Sequence, residues 1–361
     1  MNSREIINAI VRDKTCPERM GIYEHFWEDT QAEWEKQGLP KGVDIIEYFD
    51  YDIKPVPGSD VNMEPIVREK IIVEETENTF VSLNGWGTKL RYWKHKSGTP
   101  EHISFDMTDE KVWRQKYRPL FLELNPKRIG NIEQLKKDYA RCMATDKFVV
   151  YTNPMIFEFM RVSMGDITML ESMYLNPAWI HDFCNVVTNA QIMHYEYLFH
   201  KVGVPNGIFM YEDMGYIYGP FMSPALHREM LLPYHKRTTD FVHSYGIPFI
   251  MHSCGKVEPL LQGIVESGID CLQVLEAKAG QNVINFAKQV DNKIAFMGNL
   301  NIVAYETNNR AEIDKEIIPK LQGIKENRIP YVFHSDHSIP KTVKLDTYIY
   351  TLGLFEKHGR Y

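Results

Sequence analysis

The sequence predicts an α/β protein folded as a single (β/α)8 barrel, and three observations lead there. Short apolar, β-rich runs alternate with amphipathic segments of helical period, the pattern of repeated βα units. There are eight such runs. Each run delivers a polar group to its carboxyl end, where the loops of a barrel converge on a site. The expected organisation is one barrel domain over residues 1–361, with residues 53–130 inserted as a β subdomain or lid. A doubly wound open sheet is the runner-up, weakened because no Gly-rich phosphate loop follows an early strand.

Taken in order, the first candidate strand is MGIYEHF (20–26), ending near His25 and Trp27, and the second is IIEYFDYD (45–52), ending at Asp50 and Asp52. KFVVYTN (147–153) ends at Asn153, and GIFMYED (207–213) at Glu212 and Asp213. PFIMHSC (248–254) ends at His252 and Cys254, CLQVLEA (271–277) at Glu276, and IAFMGNL (294–300) at Asn299. YVFHSDH (331–337) supplies His334, Asp336 and His337. Helical segments are expected after 155, 179, 223, 256, 281, 310 and 341; the clearest start is Ser223-Pro224, a capping serine followed by a proline at the first turn. About ninety residues separate the second and third strands, too many for a bare loop. They contain the alternating run REKIIVEETENTFVSLNGWGTKLRYWKHK, with Asn84-Gly85 as a hairpin turn. The exit from it, HKSGTPEHISF (95–105), is expected to reach back toward the active face.

A formal net charge of -7 without a dense Lys or Arg run gives no footprint for nucleic acid or for an anionic membrane surface. The first residues, MNSREIINAIVRDK, carry charges where a signal peptide is apolar, and no run of eighteen apolar residues occurs. The expected location is therefore cytoplasmic. Five scattered cysteines without CxxC spacing make a disulfide framework an unsuitable reading.

On an extended backbone alternate side chains share a face, so His252 and Cys254 point together. Imidazole and thiolate are preferred zinc donors, and a catalytic zinc takes three protein ligands and leaves a position open. For the third ligand His337 is the first choice; Glu212, Asp213 and Glu276 are carboxylates that substitute for it or support the ligands. A strand histidine is more often a packed, hydrogen-bonded residue, and His334 fits that reading equally well. Cys271, at the start of its strand, and Cys142 and Cys184, in helical stretches, read as packing thiols. His181, His194, His200, His227, His235 and His243 fall on outer helices with surface or packing roles. The 17 methionines read first as core filling, with Met155, Met160 and Met164 near the third strand as the candidates to line a large apolar ligand pocket instead. Asp52 and Asp213 end apolar strands, which costs desolvation unless they are paired, hydrogen-bonded or protonated.

The span from about 207 to 340 resembles the uroporphyrinogen decarboxylase superfamily, through YEDMGYIYGPFMSP, LLPYHKRTTDFVHSYGIPFIMHSCGK, IAFMGNLN and HSDHSIP in family-like order. That superfamily also contains zinc methyltransferases acting with corrinoids, of the methylcobalamin:coenzyme M methyltransferase kind. The resemblance implies a (β/α)8 barrel with its site at the strand carboxyl ends. The decarboxylases hold porphyrin carboxylates with an RQAGRY-type segment; this chain has MGIYEHFWEDT there. Their catalytic aspartate falls on Asp52 and their late histidine on His337, but their tyrosine falls near Met160 and their serine near Met214. The methyltransferase branch carries an HxC pair matched by His252 and Cys254, and a last-strand cysteine whose position falls on His337. A His2Cys set has one fewer negative charge than HisCys2, so its zinc is the stronger Lewis acid.

The resulting expectation is a zinc-dependent methyltransferase moving a methyl group between a small O-, N- or S-methyl compound and a corrinoid (cobalamin) brought by a carrier protein. His252, Cys254 and His337 are the expected metal ligands, and Asp52, Glu212 and Asp213 the proton-handling groups. Trp27, Asn153, Met160, Tyr216, Glu276 and Asn299 are the expected substrate contacts. Two alternatives stand beside it: a metal-independent lyase using Asp52 and His337 on an acidic substrate, and a non-catalytic barrel that binds a tetrapyrrole or corrinoid.

Overall fold

The computed structural model describes all 361 residues. Eight parallel strands form the barrel: β1 (Gly21–Ile22), β2 (Ile53–Pro55), β3 (Phe148–Pro154), β4 (Gly207–Tyr211), β5 (Phe249–Ser253), β6 (Cys271–Val274), β7 (Ala295–Gly298) and β8 (Tyr331–Phe333). Each strand from β2 to β8 pairs with the next, and β8 pairs with β1. The sheet closes between β1 and β2 without a regular ladder. There the Asp52 N–H donates to the Ile22 carbonyl at 2.8 Å, and the Ile22 N–H donates to Asp52 Oδ2 at 2.8 Å.

One strand lies elsewhere than the sequence suggests. Residues 45–48 form a helix, Ile45–Tyr48, and the second strand begins only at Ile53. The Asp44 side chain accepts from the Ile46 N–H and caps that turn, and Asp50, at φ 52°, turns the chain before the strand starts. A short run of adjacent apolar residues has the same pattern in a single helical turn as in a buried strand, and here the cap at Asp44 decides for the helix. The shift moves Asp52 from the carboxyl end of a strand to its amino end.

The outer helices include Ile156–Leu175, Pro177–Lys201, Leu232–Ser244, Arg310–Glu326 and Leu345–His358. Ser223 caps Pro224–Met230, its hydroxyl accepting from the Leu226 N–H at 3.2 Å. No helix is long and apolar enough to cross a membrane.

Between β2 and β3 the chain builds a four-stranded antiparallel meander: Ile71–Glu75, Thr79–Leu83, Lys89–Trp93 and Glu101–Ser104. Asn84 opens the central hairpin loop, its side chain accepting from the N–H groups of Trp86 and Thr88. The meander docks on the long helix after β3. Thr88 Oγ1 donates to the Val162 carbonyl at 2.6 Å, and Phe105 fills the space beside Gly165, where a Cβ would stand 2.4 Å from its ring. At φ 77° this glycine interrupts the helix and admits the aromatic ring.

Candidate functional site

The carboxyl ends of β4, β5 and β6 are in register, so Tyr211, His252 and Gln273 stand side by side. Alternation then fixes which of the following residues face inward. Asp213 and Cys254 face a cleft of ≈ 230 Å³ that is also lined by His25, Trp27, Thr99, His334 and His337. Thr99 comes from the loop between the third and fourth strands of the meander, inside it and not on the exit the sequence suggests.

At the base of this cleft His252 Nε2 lies 3.0 Å from Cys254 Sγ and 3.2 Å from Asp213 Oδ1. One ligand atom from each of Asp213, His252 and Cys254 falls within 4.8 Å of the others, the spacing of a shared cation. This nitrogen, sulfur and oxygen set suits zinc in number and type and leaves a coordination position toward the cleft. His337 stands in the cleft wall, its ring 6.1 Å from that of Trp27, outside this group of three. The carboxylate from β4 thus occupies the place the sequence reading gave first to His337.

The local electrostatics follow from burial and close pairing. Burial would lower His252, but the Cys254 sulfur and the Asp213 carboxylate raise it well above the usual imidazole range. Asp213 would be raised by burial, yet His252 and the Cys254 backbone N–H, donating at 2.8 Å, hold it low. Burial pushes the Cys254 thiol up, with the His252 ring opposing.

The loop that presents Cys254 is braced by contact between two glycines. A Cβ on Gly255 would lie 2.2 Å from the Gly215 carbonyl carbon, and Gly255 has φ 73°. The Lys256 N–H donates to the Tyr216 carbonyl at 2.9 Å across the same contact. Gly255→Ala is expected to cost about 1–2 kcal/mol through the left-handed backbone alone. The collision adds to this by moving Cys254, so metal affinity, read by chelator competition, should fall with melting temperature.

Other expected site residues serve elsewhere, for identifiable reasons. Glu212 alternates outward from Asp213 and is fully buried. It accepts from the Phe157 N–H at the start of Ile156–Leu175 and meets His235 Nε2 at 2.5 Å. Burial raises Glu212 to about 8 and lowers His235 to about 3, a pair held by one shared proton. Asp52 lies at the opposite, amino-terminal end of the barrel, bound to Arg19. Asn299 accepts from the Val283 N–H and donates to the carbonyls of Leu275 and Gln281, binding the loops after β6 and β7. Glu276 is buried beside Lys278, and Met160 is buried against Cys184. Asn153 is buried, and Tyr216 is exposed on the hairpin after β4. None of these seven lines the cleft.

A buried group escaped the sequence reading: Glu24, between β1 and β8. Its carboxylate accepts from the N–H and hydroxyl of Ser335, both at 2.9 Å, and from the His25 N–H at 3.0 Å. It stands 3.2 Å from His334 Nε2. Burial outweighs these bonds and raises Glu24 to about 8. The folded chain therefore binds more protons at this site than the unfolded chain between about 4.5 and about 8, so stability falls as pH rises through that window. Glu24→Gln, which keeps the neutral shape, should flatten the fall by up to about 1.4 kcal/mol per pH unit. Urea unfolding from pH 5 to pH 9 checks this; an unchanged slope would show Glu24 ionised in the fold.

The sequence model of uroporphyrinogen decarboxylase (URO-D) matches residues 160–352, more than half of the chain. The chain belongs to the uroporphyrinogen decarboxylase family. Its structure superposes on a methyltransferase from Methanosarcina mazei with a TM-score of 0.63 at 12% identity, over 99% of each chain, a likeness of fold. An uncharacterized protein aligns over 43% of this chain and 39% of its own at 10% identity, with a TM-score of 0.28, too low to bear on the fold. No curated protein matches the sequence. In this family context the residues now at the RQAGRY-type position include His25 and Trp27, which line the cleft without a cation.

Proposed function

We propose that this URO-D family protein is a zinc-dependent methyltransferase that moves a methyl group between a small O-, N- or S-methyl compound and a corrinoid held by a separate carrier protein. The observation that carries the reading is the Asp213, His252 and Cys254 group at the floor of a small cleft on the barrel's carboxyl face. These residues would hold zinc, and zinc when bound supplies Lewis acidity to the heteroatom that gains or loses the methyl group.

The chain's own residues do the rest. Trp27 and Tyr211 wall the cleft and orient a small substrate above the ligand group; His337 lies within the same wall to hold a proton at the departing or attacking heteroatom. At ≈ 230 Å³ the cleft suits a small methylated compound but cannot enclose a tetrapyrrole ring, which favours a corrinoid presented from outside. The likeness to the Methanosarcina mazei methyltransferase supports the same reading.

The lyase alternative fares worse. No Lys or Arg lines the cleft and the His252 ring is already paired with Asp213, so an acidic substrate finds no free counter-charge there, and Asp52 is at the far end of the barrel. Elemental analysis of the purified protein, then mixing with cob(I)alamin and a panel of methoxy, methylamine and methylthio compounds, tests the proposal. The expected results are zinc near one per chain and a shift in cobalt absorbance with one compound class. Absence of zinc, or no cobalt change with any compound, would overturn it.

A further inference from the structure

A chain of hydrogen bonds beneath the cleft takes its direction from a backbone carbonyl, and it ends on the imidazole of His252. It begins at the Ser335 carbonyl oxygen, which can only accept. His334 Nδ1 lies 2.5 Å from it and must carry the proton. His334 is buried, and burial lowers it to about 3, so the ring is neutral and its Nε2 is left as an acceptor. Gln273 Nε2 lies 3.2 Å, His25 Nδ1 3.1 Å and Glu24 Oε1 3.2 Å from that nitrogen; Glu24, raised to about 8 by burial, keeps its own proton and takes none from the ring, so Gln273 turns its N–H side to the lone pair. With its amide nitrogen committed to His334, Gln273 turns its carbonyl oxygen toward His252 Nδ1, in close hydrogen-bond contact. An oxygen acceptor there requires a proton on His252 Nδ1.

We propose that His334 and Gln273 are positioning residues which hold the proton on His252 Nδ1, so that Nε2 alone is presented to the position shared with Cys254 and Asp213. Neither residue touches that position through a ligand atom of its own. Their effect is to choose which imidazole nitrogen keeps a lone pair, a choice that an isolated histidine leaves open. An amide can also turn over. Without the acceptor on His334, Gln273 gains nothing by keeping its nitrogen on that side. Turned over, it would present N–H groups to His252 Nδ1 and drive the proton to Nε2, the metal-facing atom. His25 is polarised by the same anchor: its Nδ1 donates, and its Nε2 accepts from the hydroxyls of Tyr23 and Tyr211, each at 3.4 Å. The register explains why the arrangement is possible, since His252 and Gln273 are direct cross-strand neighbours on β5 and β6.

This inference rests on the metal reading above, and the test separates the two. Full-length protein with ¹⁵N-labelled histidine, loaded with zinc so that Nε2 carries no proton, should show a slowly exchanging His252 Nδ1–H resonance. His334→Phe, which leaves His252 and Gln273 in place, should lose that resonance and bind zinc about 10–100-fold more weakly in chelator competition. Adding Gln273→Glu to His334→Phe supplies an acceptor that cannot turn over, and should restore both readouts. Gln273→Met, close in shape and without an amide, should behave like His334→Phe and stands in for it if that variant fails to fold. Wild-type resonance and affinity in Gln273→Met or His334→Phe would overturn the proposal. Failure of the double variant to recover would reduce both residues to packing and overturn it as well. If the wild-type protein binds no zinc, the proposed function fails and this inference with it; if zinc binds and the variants match wild type, the inference alone fails.

Discussion

Cys254→Ala is expected to remove bound zinc and to lower methyl transfer by at least about 100-fold, more than the loss typical of a group that merely supports a ligand. The fold should survive. Cys254 follows β5 at the rim, and its sulfur contacts the His252 ring rather than the hydrophobic core. Truncation therefore opens no core cavity, and the cost to stability should stay within about 0.5 kcal/mol of wild type once metal is removed from both. The ratio of zinc to protein and the melting temperature of the metal-free forms check the two halves separately. Two further substitutions settle the third ligand. Asp213→Asn should weaken zinc binding more than His337→Gln, because only Asp213 shares the cluster with His252 and Cys254. The opposite order would return His337 to the place the sequence reading gave it.

Much of the barrel was legible because its signals are local. The run before His252 is apolar, and the break at Ser253, Cys254 and Gly255 marks where a strand meets a loop. Alternation alone puts His252 and Cys254 on one face. The same rule, applied one strand earlier, would have separated Asp213 from Glu212, since the two are adjacent and cannot both face the cleft. What was not legible depends on relations between strands. Gln273 becomes significant only through its register with His252, and Glu24 only because Ser335 lies beside it across the β1–β8 pair. Neither offset can be read from one chain. The place of Asp52 is hidden for a different reason: the helix Ile45–Tyr48 has the apolar pattern of a buried strand, and only the start of β2 at Ile53 puts this carboxylate at the amino-terminal end of the barrel.

That carboxylate yields the second large effect. Asp52→Asn is expected to destabilise the fold by about 3 kcal/mol, at the lower end of the cost of breaking a buried ion pair because Arg19 retains some solvent contact. Asp52 itself is fully buried; it receives both arms of the Arg19 guanidinium, each at 2.7 Å, and the Ile22 N–H at 2.8 Å. An amide in its place turns one acceptor into a donor facing another donor, and it does so where β1 and β2 lack a ladder of their own. The seam of the barrel thus depends on a side chain that the decarboxylase resemblance would make catalytic. Denaturant unfolding should show the loss, while kcat, measured well below the melting temperature, should stay within about twofold of wild type. If Asp52 were instead the proton donor of a lyase, turnover would fall by about 10²–10⁴-fold, the usual contribution of a positioned acid, with little need for a change in stability. The two accounts assign the large effect to different measurements, so one substitution distinguishes a residue that closes the barrel from one that works in its mouth.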